Sequence, residues 1–87
     1  MKRVQVNIIN YLNKITNLQE LMPKEFAVVG QWKEQGILEH LYVKDDNTGA
    51  FLVFKDTDEA RVKELISTLP MFKYFDNVVY SSTEMQF

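Results

Sequence analysis

The 87-residue chain is 46% hydrophobic and 25% charged, with a formal net charge of -2, the balance of one ordinary globular domain over residues 1–87. The mixed, slightly acidic charge argues against a nucleic-acid partner, which requires a basic stripe. Without cysteine there is no disulfide or thiolate chemistry, and the cytoplasm is the default compartment; one histidine leaves no ligand set for a transition metal, and no cofactor is expected.

The opening segment MKRVQVNIIN starts basic, but its apolar run is too short and too polar for a signal peptide or a membrane span. Residues 3–9, RVQVNII, alternate instead: Val4, Val6 and Ile8 point one way, and Arg3, Gln5 and Asn7 the other. That is a half-buried strand. Residues 17–35 read as a helix, with Asn17 and Glu20 at capping-box spacing and Leu21, Met22, Phe26, Val29 and Trp32 as an apolar stripe. Pro23 either opens this helix or breaks it, because an interior proline costs about 3 kcal/mol. Gly36 is a suitable stop.

Residues 38–44, LEHLYVK, alternate again, with Leu38, His40 and Tyr42 on one face and Glu39, Leu41 and Val43 on the other. DDNTG at 45–49 is turn chemistry, and AFLVFK at 50–55 is an apolar strand, so the pair reads as a hairpin. Residues 57–69 form a second helix, capped by Asp56 or Thr57, with Val62, Leu65, Ile66 and Leu69 at helical spacing. Pro70 ends it. Then Met71, Phe72, Tyr74 and Phe75 make a dense apolar corner before a last strand, NVVYSS at 77–82.

The order β-α-β-β-α-β predicts an α+β, ferredoxin-like fold: a four-stranded antiparallel sheet with both helices on one face. Its first and third strands are central, and nothing in the chain covers the other sheet face, where Phe51 or Phe54 would lie. Leaving such a face wet forfeits several kcal/mol at about 25 cal/mol per Å². The expected remedy is a second copy packed sheet to sheet.

Three stretches, KEQGILEHLYV (33–43), VFKDTDEARVKELI (53–66) and STLPMFKYFDNVVY (67–80), resemble muconolactone isomerase and its small relatives in the dimeric α+β-barrel group. The Leu-Pro-apolar-aromatic run after the second helix is the most specific of them. The resemblance implies subunits paired through the open sheet face into a homodimer or a larger homo-oligomer. It also implies a small apolar or lactone ligand bound between the sheet and neighbouring segments. Lys73 stands where the family usually has a second proline, and Pro23 interrupts a helix that the enzyme runs smoothly.

An isomerase of this kind needs a base, an acid and donors for an enolate oxygen. His40, the one histidine, is the candidate base near neutral pH, with Tyr42 on its face as its catalytic partner. Gln5, Asn7, Phe72, Tyr74 and Tyr80 are the candidate ligand-binding residues. Arg3 is a candidate anchor for a substrate carboxylate, and Trp32 belongs to the core by its spacing. The alternative is a non-catalytic homo-oligomeric domain that binds a small ligand or is purely structural; a third possibility, from the shared architecture, is a heme- or quinone-related monooxygenase-type barrel.

Overall fold

The computed structural model describes residues 1–87. Four strands, β1 (Lys2–Ile9), β2 (Leu38–Val43), β3 (Gly49–Lys55) and β4 (Asn77–Glu84), alternate with helices α1 (Leu18–Glu34) and α2 (Glu59–Ser67) in the order β-α-β-β-α-β. The sheet runs β2-β3-β1-β4, all neighbours antiparallel, with β1 and β3 central. Short 3-10 turns at Leu12–Lys14 and Phe72–Tyr74 lead into α1 and β4.

Strand alternation sorts the two faces. Val4, Val6 and Ile8 lie in register with Phe54, Leu52 and Ala50, and this side meets the helices. Val29 and Trp32 of α1 and Val62, Leu65 and Ile66 of α2 complete the core, and Leu69 just beyond α2 joins them. Trp32 stacks on Phe54 at 5.6 Å between ring centroids, within the range of favourable aromatic pairs. Phe54 is wholly buried on the helix side, so of the two phenylalanines it is Phe51 that stands on the open face, 45% exposed. Tyr42 and Val79 are also exposed there.

Helix α1 runs through Pro23 without a break. Proline removes one donor, the partner of the Gln19 carbonyl, but Gln19 and Pro23 are both exposed, so water meets that carbonyl. Asn17 caps only through its backbone, its carbonyl accepting from the Glu20 and Leu21 N–H groups. The second helix starts two residues later than its sequence suggests. Asp58, in extended geometry, accepts from the Arg61 N–H at 2.8 Å, while Asp56 takes a left-handed φ of 57° as part of the turn before it. Gly36 ends α1 with φ 79°, as its position predicts.

Strand β2 is not regular. Leu38 pairs with Phe54, but His40 pairs with Val53, a bulge with one extra residue. The bulge separates Leu38 from His40 and Tyr42: Leu38 and Leu41 turn to the core, whereas His40 and Tyr42 face outward. It also turns Glu39 to the side of Arg3, with Nε–Oε1 at 2.8 Å and Nη2–Oε2 at 3.0 Å. Such a fork-to-fork pair is among the stronger polar contacts, and it leaves the Arg3 guanidinium already engaged.

Candidate functional site

The site begins where β1 ends. The parity that buries Val4, Val6 and Ile8 carries on to Asn10, so an amide enters the buried side, 3% exposed. The chain is pinned there by the Asn10 N–H to the Thr48 carbonyl at 2.8 Å and by the Asp76 N–H to the Ile9 carbonyl at 2.8 Å. Gly49 makes the close approach possible. Its φ is 144°, and a Cβ there would stand 1.9 Å from the Ile8 carbonyl oxygen.

Beside Asn10, between the sheet and α1, lies a cavity of about 80 Å³. Its wall is largely hydrocarbon and thioether, including Ile8, Met22, Val29, Leu52 and Phe75. Two side chains in it are polar, Asn10 and Glu25. Glu25 sits on α1 three residues after Met22 and four before Val29, an acid inside the apolar stripe. It is half-buried, and its Oε1 accepts from the Met71 N–H at 3.1 Å. Burial pushes its carboxyl above the ordinary value, against the downward pull of that N–H. Oε2 has no protein partner.

Met71 also meets Asn10, whose Nδ2 donates to the Met71 sulfur at 3.9 Å. A thioether is a weak acceptor, so this donor is readily transferred to a better oxygen. The Asn10 carbonyl oxygen is buried without a partner. An apolar cavity with a few convergent polar groups and a carboxyl of raised pKa is the usual form of a small-molecule site.

The corner after Pro70 therefore divides. Met71 and Phe75 line the cavity. Phe72 lies outside it, edge-on to Phe75 at 5.9 Å, and the Tyr74 hydroxyl points to Asn17 Oδ1 at 3.5 Å. Tyr80 is on the helix side beneath Lys63, whose Nζ is 5.4 Å from the ring centroid, and burial raises the Tyr80 hydroxyl pKa.

His40, Tyr42, Gln5 and Asn7 share the opposite, open face. The His40 and Tyr42 rings are 5.9 Å apart, and His40 is well exposed. Gln5 and Asn7 lie one strand further off, on β1: Val53 and Phe51 of β3 stand between them and β2. Gln5 donates to the Thr83 hydroxyl at 3.4 Å, and Asn7 Oδ1 is buried without a partner. Sequence reading missed Glu25 and Asn10, yet both left a signal: an acid on an apolar helical stripe, and a polar residue on the inward parity of β1.

The family model of muconolactone delta-isomerase matches residues 2–84. The chain belongs to that family. No curated protein matches the sequence. Among solved structures, 5-chloro-2-hydroxyhydroquinone dehydrochlorinase from Burkholderia phenoliruptrix AC1100, in complex with 2,5-dihydroxybenzoquinone, is similar in fold. It has 13% identity and a TM-score of 0.65 over 94% of this chain and 93% of that chain. The α+β fold is the one this neighbour shares, and no helix is long and apolar enough to cross a membrane.

Proposed function

We propose that this muconolactone-isomerase family member moves a double bond in a small unsaturated lactone or related carbonyl compound by proton transfer, with Glu25 as the proton carrier. The supporting observation is the half-buried carboxyl in an apolar cavity beside the Asn10 amide. Glu25 Oε2 takes a proton from carbon activated by the carbonyl. The C–H electron pair enters the conjugated system as an enolate, and the negative charge moves from Glu25 to the carbonyl oxygen. Asn10 Nδ2, released from the Met71 sulfur, donates to that oxygen. The protonated Glu25 then returns its proton at the other end of the conjugated system, so atoms and charge balance. A carboxyl raised by burial suits both halves, because a base nearer the working pH holds the proton well enough to give it back.

The fold neighbour's complex with a dihydroxybenzoquinone is consistent with a small carbonyl ligand for this architecture. Glu25→Gln should lower turnover of muconolactone or an alkyl-substituted unsaturated lactone by about 10²–10⁴-fold, the usual worth of general acid–base catalysis. Retained turnover would remove Glu25 from the chemistry.

A second reading puts the base at His40, with Tyr42, Gln5 and Asn7 around it. It is favoured by the partnerless Asn7 carbonyl oxygen on the same face and by the proposal that a second copy covers this face in a homo-oligomer. His40→Ala separates the two: turnover survives under the Glu25 reading and is lost under this one. A non-catalytic ligand-binding role predicts thermal stabilisation by lactones with no turnover.

A further inference from the structure

The cavity does not end at its own wall. A groove of about 320 Å³ lies between α1 and β2, and it shares Phe26, Val29 and Leu41 with the cavity of about 80 Å³ that holds Glu25. Phe26 is 48% exposed, so a solvent-facing ring, not closed core, stands between the two spaces. One face of α1 serves both. Met22, Glu25, Phe26 and Val29 line the cavity, and Phe26, Val29, Gly30 and Lys33 line the groove; each set is the i, i+3, i+4, i+7 recurrence of a single helix face.

The two ends differ in charge. Glu25 is the one ionisable group of the cavity. In the groove, the Glu39 carboxylate is already engaged by Arg3 at 2.8 Å, which leaves Lys33 on the α1 side as the uncompensated charge. Every other lysine and arginine lies outside both linings. Lys2 is beside Glu84, Lys14 is held by Asp76 and Arg61 by Glu64. Lys44, Lys63 and Lys73 lie over aromatic rings. Lys55 stands opposite Arg3 on β3 and adds to the pull on Glu39, and Lys24 is exposed on α1. Lys33 makes no ion pair and covers no ring.

Gly30 is a second, independent mark. An interior glycine weakens a helix relative to alanine, yet a Cβ at Gly30 would meet nothing within 4 Å, so packing inside the chain does not call for glycine. What the missing side chain supplies is room in the groove between Phe26 and Lys33. We infer that the groove is the second half of the ligand site, and that Lys33 is a specificity-determining residue that holds a carboxylate arm on a ring seated in the cavity. This rests on the reading of Glu25 as the proton carrier. Eight residues, about 12 Å of helical rise, separate Glu25 from Lys33, and a helical side chain leans back toward the N-terminus, so the long Lys33 side chain shortens that span. The arm's charge then stays in an open groove beside a cation; in the apolar cavity beside Glu25 it would be unpaired and costly.

The test compares muconolactone with 5-methyl-furanone, which lacks the carboxylate, by proton NMR of double-bond migration. Lys33→Ala, at an exposed position, should raise KM for muconolactone about fivefold, the upper end for a solvent-exposed ion pair, with kcat unchanged and the methyl compound unaffected. Lys33→Arg should retain the wild-type KM, and so should Lys24→Ala. The wild-type KM for muconolactone should rise with ionic strength, and that dependence should be lost in Lys33→Ala. Gly30→Leu should melt no lower than the wild type, since leucine is the better helix former, yet raise KM several-fold for muconolactone alone. Titration of muconolactone into Glu25→Gln, with and without Lys33→Ala, reads the same fivefold as a Kd without any chemistry.

An equal effect of Lys33→Ala on both lactones, no effect on either, or a salt dependence that survives the substitution overturns the assignment of Lys33. Gly30→Leu without effect on muconolactone overturns the placing of the arm in the groove. Turnover that persists in Glu25→Gln overturns the proton-carrier reading alone, because the Lys33 effect on Kd is scored separately. Muconolactone that neither binds nor turns over overturns both.

Discussion

Replacing Phe51 with aspartate probes the open face of the sheet. Phe51 sits mid-strand on β3, between Tyr42 of β2 and Asn7 of β1, and is 45% exposed. A phenylalanine side chain has about 200 Å² to bury, so covering the rest of this ring removes about 90 Å² from water. At about 25 cal/mol per Å² that is about 2 kcal/mol per subunit, and in a two-fold dimer each copy contributes it once, for about 4 kcal/mol. The dissociation constant should then rise by about 10³-fold or more, since aspartate also brings a charge into the contact. The monomer fold should persist, because the side chain points away from the core that Phe54 and Leu52 build. Light scattering coupled to size exclusion, across a dilution series from micromolar upward, reads the mass directly. A wild type that is monomeric throughout, or a variant that associates as tightly as the wild type, refutes the reasoning.

Gly49→Ala should destabilise the fold by about 1–3 kcal/mol from its left-handed backbone alone, and by more because the new Cβ meets the Ile8 carbonyl oxygen; thermal unfolding measures it. Glu25→Gln should raise the melting temperature at neutral pH while it removes activity. The folded state raises the Glu25 pKa, so this group's contribution is fully present below its unfolded value and is lost as pH rises through the folded one. The stability gap between wild type and variant should therefore open on the alkaline side and close below about pH 4; a gap of constant size at all pH values contradicts it. Glu39, held down by the Arg3 guanidinium, and Asp76, held down by Lys14 and the Tyr11 N–H, behave oppositely. Their stabilisation is present above the unfolded carboxylate range and lost as pH falls through their lowered values, so Glu39→Gln should flatten the acid limb of a stability–pH profile.

Strand and helix order was legible because each element has a clean period. Val4, Val6 and Ile8 alternate on β1, and Val62, Leu65, Ile66 and Leu69 recur at helical spacing; all seven are buried. What the sequence concealed is what depends on one residue out of phase. The bulge at Glu39 reverses Leu38 relative to His40, and strict alternation has no means of announcing an inserted residue. The cap moved to Asp58 because Asp56, Thr57 and Asp58 are all competent caps, and the left-handed turn at Asp56 decides among them.

The site was less legible than the fold. A lone histidine draws attention by its pKa, yet His40 lies on the outer face, whereas the carboxyl that burial perturbs is Glu25. Glu25 and Asn10 are about fifteen residues apart and meet only through Met71, so their union is a product of the corner after Pro70. Phe72 and Tyr74 belong to that corner too, but the 3-10 turn over Phe72–Tyr74 sends them outward and leaves Met71 and Phe75 on the cavity.

The most direct measurement is solvent deuterium uptake into an unsaturated lactone at the carbons flanking its double bond, followed by NMR in heavy water. Glu25 is half-buried, so the proton it carries exchanges in part with solvent before it is returned, and proton carriage by Glu25 predicts partial label at those carbons with the wild type and with His40→Ala, and none above background with Glu25→Gln. Label that persists in Glu25→Gln, or that vanishes in His40→Ala, contradicts it.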